Sequence, residues 1–307
     1  INSNISILVV DSNSKFVFKP LLYEVLSDEI KSWEVAPNFE NIFSKAGISF
    51  LQNRLISINF KGKILKFDDN LEVIFEHLIL CTGSKYNTFS IQGVDEYCYF
   101  FNDIYDQNRL KNYLEKSTQD STCNEIFIIG AGPSGVELAC KLYDMYNDVY
   151  KISIIEKDQE ILNKNKIFNR EEAEKALNKR DINLRLNSNV KEINEKNIVV
   201  ETCEKFPITL NHHAVIWTAG VKSNLPIIED DIRLYKGRIL VNNKLQMMDF
   251  KDIYVLGDIA VIQGDEDLPI TAQVAMQQGK HAAQNLSLLI NKQDQLPFNF
   301  NDNGEMI

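Results

Sequence analysis

Glu125-Ile-Phe-Ile-Ile-Gly-Ala-Gly-Pro-Ser-Gly-Val-Glu137 is the stretch on which the fold turns. Ile126 to Ile129 are continuously apolar, as in a strand buried on both faces. They run into Gly130, Gly132 and Gly135, and then into a helical pattern through Leu138, Leu142 and Met145. Each glycine has a mechanical job in a dinucleotide-binding turn. Gly130 permits the tight turn, Gly132 lets a pyrophosphate approach the backbone, and Gly135 lets helix and strand pack closely. The helix N-terminus offers unpaired N–H groups and the positive end of its dipole to phosphate. An ordinary β-α turn can carry the same glycines. The context argues further: a second strand, Ile152-Ser-Ile-Ile155, ends in Glu156. That acid lies about twenty residues past the last glycine, where a carboxylate grips ribose hydroxyls.

Outward from this unit the same plan occurs twice. Ile5-Ser-Ile-Leu-Val-Val-Asp11 reads as an acid-ended second strand whose own first strand and glycine turn are absent. The chain opens without Met and stops at Gly304-Glu-Met-Ile307, which reads as a fragment cut at both ends. Phe16 to Leu26 leads into a helix that Pro20 can start, and a second helical piece is expected from about Ala36 to Lys45. Ile48 to Phe60, Lys63 to Phe67 and Leu71 to Phe75 are strand-like runs of a β-meander, with turns at Lys61-Gly62 and Asp68-Asp-Asn70. A strand over His77 to Leu80 then ends in Cys81-Thr82-Gly83. After a helical linker (Asp103 to Glu115) and a polar stretch (Ser117 to Asn124), the glycine unit repeats this order. It has a helix over Glu171 to Lys179, a meander over Asn183 to Ile208, and a strand ending in Trp217-Thr218-Ala219-Gly220. Asp252 to Leu256 ends in Gly257-Asp258, followed by a helix from Thr271 to about Ile290. The duplication predicts an α/β protein of two interleaved Rossmann-like dinucleotide-binding domains, each with a parallel sheet and a β-meander. In a sheet ordered 3-2-1-4-5, the absent first strand belongs between the Ile5–Val10 and His77–Leu80 strands.

Composition narrows the field. The 307 residues are enough for about two domains with a large core. A net charge of −10 without a compensating basic run argues against nucleic acid. The five cysteines, Cys81, Cys98, Cys123, Cys140 and Cys203, form no C-x-x-C pair, so they read as reduced thiols of an intracellular protein. The histidines (His77, His212, His213, His281) show no metal spacing, and no metal is expected. No apolar run approaches the roughly 20 residues of a membrane span, and no signal peptide is visible.

The tandem units, the Thr-(Ala)-Gly turns and the late strand-Gly-Asp-helix resemble the two-dinucleotide-domain flavoprotein reductases, the FAD-dependent pyridine nucleotide-disulfide oxidoreductases. Phe16-Val-Phe-Lys-Pro-Leu-Leu-Tyr-Glu-Val-Leu26 and Thr271-Ala-Gln-Val-Ala-Met-Gln-Gln-Gly279 are similar to type II NAD(P)H:quinone oxidoreductases. Trp33-Glu-Val-Ala-Pro37 and the Gly304-Glu-Met306 ending resemble the cyanobacterial and plastid branch. The resemblance implies FAD, with NADH or NADPH as hydride donor and a quinone as acceptor, without proton pumping. It divides the chain into an FAD-binding part (1–117), an NAD(P)H-binding domain (118–245) and an FAD return segment with the start of the C-terminal region (246–307). For FAD it implies Asp11 at the adenosine ribose, Arg54 and Leu55 at the adenine, Thr82 and Gly83 at the FAD turn, and Asp258 at the ribityl chain. Pro20 and Tyr23 fall beside the isoalloxazine, with Ala275 another cofactor contact. Glu137 lies close to nicotinamide and flavin, and Gln273 and Gln277 close to flavin and quinone; these three are the candidate catalytic residues. Gly130, Gly132, Gly135, Glu156, Thr218 and Gly220 hold the nicotinamide nucleotide. A membrane-anchoring C-terminal region is expected to be missing, a homodimer is the oligomer the resemblance allows, and the location is peripheral, on the cytoplasmic side of a thylakoid or plasma membrane.

Each candidate has a plainer explanation. Glu137 is also what a solvated helix face carries, Asp258 what caps a helix, and Gln273, Gln277 and Gln278 what a helix over a sheet exposes. Trp217 reads as a core aromatic, and Lys164 to Lys166 as a solvated face. No cysteine occurs from Lys15 to Leu26, so a C-x4-C disulfide beside the flavin is disfavoured. Two rivals stay open: a reductase of a ferredoxin- or rubredoxin-type carrier, and a non-catalytic nucleotide sensor. Glu156 favours NADH over the 2′-phosphate of NADPH, while Lys157 could soften that choice.

Overall fold

The structure, a computed structural model, describes residues 5–116, 123–202 and 206–304. Cys203, residues 117–122 of the polar stretch and the Glu305–Met306 ending lie outside the described residues. Packing divides the chain into two compact units. Of the described residues, 5–14, 43–85 and 221–304 form one, and 15–42, 86–116, 123–202 and 206–220 the other.

The unit with the glycine turn is built on five parallel strands, in the order Asn183–Arg185, Lys151–Ile155, Glu125–Ile129, Ala214–Trp217 and Cys98–Tyr99. Ile126 to Ile129 and Ala214 to Trp217 are all buried, which is why these runs are apolar without alternation. The Pro133–Tyr146 helix packs Leu138, Ala139 and Leu142 into the same core as Leu110, Leu114 and Leu177. Each such leucine contributes roughly 1.5–3 kcal/mol through burial. A separate antiparallel meander runs through Asn189–Ile193, Asn197–Glu201 and Pro207–Asn211.

In the other unit, Leu8–Asp11 pairs in parallel with Ser49–Gln52, and Leu78–Leu80 pairs in parallel with Ile253–Val255. These remain two separate two-stranded sheets. The meander here is Leu55–Asn59, Ile64–Phe67 and Glu72–Ile74, extended by Ile227–Ile228. Arg238–Val241 runs parallel to Ala260–Ile262, and the long Ala272–Ile290 helix, capped by the Thr271 hydroxyl, completes the unit.

Several expected elements are redrawn. The Ile48–Phe60 run is two strands: Ser49–Gln52 pairs with Leu8–Asp11 and Leu55–Asn59 with Ile64–Phe67, and between them the Arg54 N–H donates to the Asn53 side-chain carbonyl at 2.8 Å. Likewise Asn183–Arg185 belongs to the parallel sheet, not to the meander. The helix expected from Ala36 begins only at Phe39, beyond Pro37, and a separate short helix covers Ser32–Val35. Trp33 on that short helix is 70% exposed.

Candidate functional site

Gly130 has φ +106, and a Cβ on it would approach Ala219 Cα to 2.9 Å. At Gly135 a Cβ would collide with the Gly130 carbonyl and come within 2.9 Å of Thr218 Oγ1. Gly132, at the N-cap of the Pro133–Tyr146 helix, faces open space where its side chain would be. Two glycines are thus demanded by packing and one leaves a cradle over a helix N-terminus, which fits a pyrophosphate. Glu156 is tied into this turn: Oε2 accepts from the Ala131 N–H at 2.7 Å, and Oε1 from the Asp158 N–H at 3.0 Å. Thr218 braces the turn from the next strand, its hydroxyl donating to the Ile129 carbonyl at 2.9 Å. Gly220 has φ +67, and a Cβ there would press on the Phe89 ring. Between Thr218 and this strand's core lies Trp217, 1% exposed, whose indole N–H donates to the Ala219 carbonyl at 2.9 Å and the Asn87 carbonyl at 3.1 Å. Beside Glu156 opens a polar cleft of about 370 Å³ lined by Lys157, Asp158, Gln159, Glu160, Asn163 and Asn187.

Pro20 and Tyr23 belong to the same compact unit as the glycine turn. Pro20 is exposed, while the Tyr23 ring packs on Phe101 with centroids 5.2 Å apart. The Tyr23 hydroxyl is within hydrogen-bonding reach of Ser134 and Glu137. Burial, and then the Glu137 charge, push that phenol above its ordinary range. Glu137 itself is held above the usual carboxylate range, first by burial and then by Glu24, against the hydrogen bond from Tyr23.

The other unit holds the remaining residues expected at FAD, Pro20 and Tyr23 aside. Asp11 accepts at Oδ1 from the Asn13 N–H at 2.7 Å. Cys81, an exposed residue at the end of the Leu78–Leu80 strand, has its thiol raised by the protein atoms packed around the sulfur and then by the Asp11 carboxylate. Thr82 donates to the Asn224 carbonyl at 2.6 Å, and Gly83, at φ +68, has open space where a side chain would be. Arg54 is exposed and Leu55 packs on the core. Asp258 accepts from the Ser84 hydroxyl at 2.6 Å. Gln278, 3% exposed, accepts from the Gly257 N–H at 2.7 Å, fixing the turn that carries Asp258, and Ala275 is in van der Waals range of a Cβ on Gly257. Two acids and a left-handed glycine at parallel strand ends suit the hydroxyls and backbone approach of FAD. Ser84 and Gln278 act across long sequence separations, and no local spacing points to Ser84.

Gln273 and Gln277 are engaged with backbone. Gln277 donates to the Asn301 carbonyl at 2.8 Å and accepts from the Asn301 N–H at 3.0 Å. Gln273 donates to the Gly304 carbonyl at 3.1 Å and accepts from the Asn303 N–H at 3.2 Å.

A family model described as pyridine nucleotide-disulphide oxidoreductase matches residues 2–279. The chain belongs to that family. It is 30% identical over 316 residues to the demethylphylloquinone reductase NdbB of Synechocystis, covering 98% of this chain and 76% of that one. It is 27% identical to the alternative NAD(P)H-ubiquinone oxidoreductase C1 of Arabidopsis thaliana, covering 98% of this chain and 65% of the relative. NDH2 from Plasmodium falciparum, solved in complex with NADH, superimposes with a TM-score of 0.77 at 23% identity, over 84% of this chain and 60% of that one. Within the family the chain groups with the type II NAD(P)H:quinone oxidoreductases, and FAD and a nicotinamide nucleotide are the cofactors of this group. Among the described residues no helix is long and apolar enough to cross a membrane.

Proposed function

We propose that the whole protein oxidises NADH or NADPH and passes two electrons to a quinone, without pumping protons. The observation that carries this reading is the built nucleotide turn, Gly130 to Gly135 with Glu156 bonded into it, in a chain similar almost end to end to quinone reductases. FAD, when bound, supplies the hydride-accepting and electron-passing chemistry. The protein's own residues bind and orient. The Pro133–Tyr146 helix N-terminus holds the pyrophosphate, Glu156 the ribose, and Asp11 and Asp258 the hydroxyls of FAD. Residues 1–117 and 246–307 serve FAD, and 118–245 serve the nicotinamide nucleotide. The start of the Ala272–Ile290 helix aims its dipole at the cofactor edge where negative charge develops. The protein attaches peripherally to a membrane surface.

Anaerobic stopped-flow on the whole protein tests the reading. NADH should bleach the flavin absorbance, and a short-chain quinone should restore it faster than a ferredoxin or rubredoxin does. Bleaching without quinone re-oxidation would favour a protein electron carrier as acceptor. Absence of bleaching would favour a nucleotide sensor.

A further inference from the structure

Asp258 stands on a turn whose backbone is held at both ends from within its own compact unit. Before it, the Gly257 N–H donates to Oε1 of Gln278, a 3% exposed side chain of the Ala272–Ile290 helix, at 2.7 Å. After it, the Arg238 guanidinium donates to the Ala260 carbonyl, and Arg238–Val241 runs parallel to Ala260–Ile262. With the main chain fixed, the rotation of the Asp258 side chain is the freedom that remains. Ser84 removes it. Its hydroxyl donates to Asp258 Oδ2 at 2.6 Å, the length of a charge-assisted O–H···O⁻ bond. Among the described residues Oδ1 takes no hydrogen bond. Ser84 is itself pinned, because Asn224 grips the turn just before it. The Thr82 hydroxyl donates to the Asn224 carbonyl at 2.6 Å, the Asn224 N–H to the Gly83 carbonyl at 2.9 Å, and the Asn224 side-chain amide to the Thr82 carbonyl at 3.3 Å. One rotatable bond separates this anchored main chain from the Ser84 oxygen.

We propose that Ser84 is a positioning residue for the flavin: it locks one oxygen of Asp258 so that the other meets a ribityl hydroxyl of FAD. The inference rests on Asp258 as an FAD contact in the proposed function. The polarity of the arrangement is complementary, since a carboxylate only accepts and a ribityl hydroxyl can donate. By donating, Ser84 occupies Oδ2 and sets the rotamer in advance, so binding costs less side-chain freedom. No bond of FAD is made or broken. A purely structural hydroxyl would act differently. It would tie the Thr82–Ser84 turn to the Gly257–Ala260 turn whether or not FAD is present, and its loss would lower the stability of the apoprotein.

Fluorescence titration of the whole protein, freed of flavin and then supplied with FAD, tests this in a double-mutant cycle. Ser84→Ala should weaken FAD about tenfold, the scale of a hydrogen bond to a charged group. Ser84→Thr, which keeps the hydroxyl, should bind within about threefold of the wild type. On an Asp258→Ala background, Ser84→Ala should cost nothing further, because the hydroxyl has no carboxylate left to hold. The melting temperature of the apoprotein should be the same in the wild type and Ser84→Ala, and only the rise on adding FAD should shrink. If Ser84→Ala folds poorly, Ser84→Cys, a weaker donor of similar shape, takes its place. Unchanged FAD affinity in Ser84→Ala, losses that multiply in the double variant, or an apoprotein destabilised as much as the loaded form would overturn the proposal. Unchanged affinity in Asp258→Ala would remove the FAD contact beneath it, and the proposal with it. NADH bleaching of the wild-type flavin, followed separately, keeps either failure distinct from failure of the quinone-reductase reading.

Discussion

At the scale of single residues, Glu156 has two duties. Its oxygens hold the glycine turn through Ala131 and the following turn through Asp158, and under the proposed function the same carboxylate meets the ribose of the nicotinamide nucleotide. A 2′-phosphate there would bring about two negative charges toward a fixed third. The repulsion amounts to a few kcal/mol, on the order of a hundredfold in affinity. NADH should therefore have the higher kcat/KM, and Glu156→Gln should narrow the ratio at least tenfold. Steady-state kinetics with both nucleotides check this, and an NADPH preference in the unmodified protein removes Glu156 from the role. Glu137 makes a stability prediction. Its folded-state proton affinity is raised, so on raising the pH the unfolded chain ionises first and stability is lost until the native carboxyl follows. Glu137→Gln should leave the melting temperature unchanged below the ordinary carboxylate range. Above the raised range it should increase it by a small amount, about 1–2 °C after solvent screening. Thermal melts at acid and neutral pH decide the matter.

At the scale of elements, the two outer glutamines of the Ala272–Ile290 helix imitate a strand. Spaced by four, they each offer one donor and one acceptor to the extended backbone of residues 301–304. Gln277→Ala should make the Asn301 amide exchange with deuterium at least tenfold faster, and Gln273→Ala should do the same at Asn303. If these glutamines also serve a quinone, stopped-flow should show the quinone half-reaction falling more than flavin reduction in both variants; equal losses would leave them only a clamp. The helix was legible in sequence from Thr271 and its apolar spacing, but the clamp was not, since its partner is bare backbone with no side-chain signature. Gln278, the third glutamine, points the other way and is buried against Gly257, a distinction that spacing alone does not make. The glycine turn was legible for the opposite reason. Gly130 and Gly135 are there because any side chain would strike Ala219 or the Gly130 carbonyl, so the physics is written in the residue type. The split of Ile48–Phe60 was hidden because both halves read as strand and what separates them is the partner each pairs with, Leu8–Asp11 for one and Ile64–Phe67 for the other.

At the scale of the whole molecule, the doubled plan read from the sequence shows in the strand pairings, complete in one unit and divided in the other. The glycine unit has one continuous five-stranded sheet, whereas among the described residues Leu8–Asp11 and Leu78–Leu80 each pair on one side only. Apolar strands with open edges recruit other strands. Residues 1–307 expressed alone should therefore associate or precipitate, and should not retain stoichiometric flavin. Light scattering and the absorbance ratio of flavin to protein check this, and a monodisperse yellow protein would contradict it.

The chain has two tryptophans, and their settings make them optically distinct. Trp33 stands in water and should emit to the red, while Trp217 is enclosed and should emit to the blue. Trp217 also sits one residue before Thr218, which braces the glycine turn; under the proposed function a reduced nicotinamide held at that turn would absorb its emission. Replacing Trp33 with Phe would leave a single built-in lamp inside the nucleotide unit. Its dimming as NADH is added, and recovery as the nucleotide is oxidised, would report occupancy of that turn without any added label.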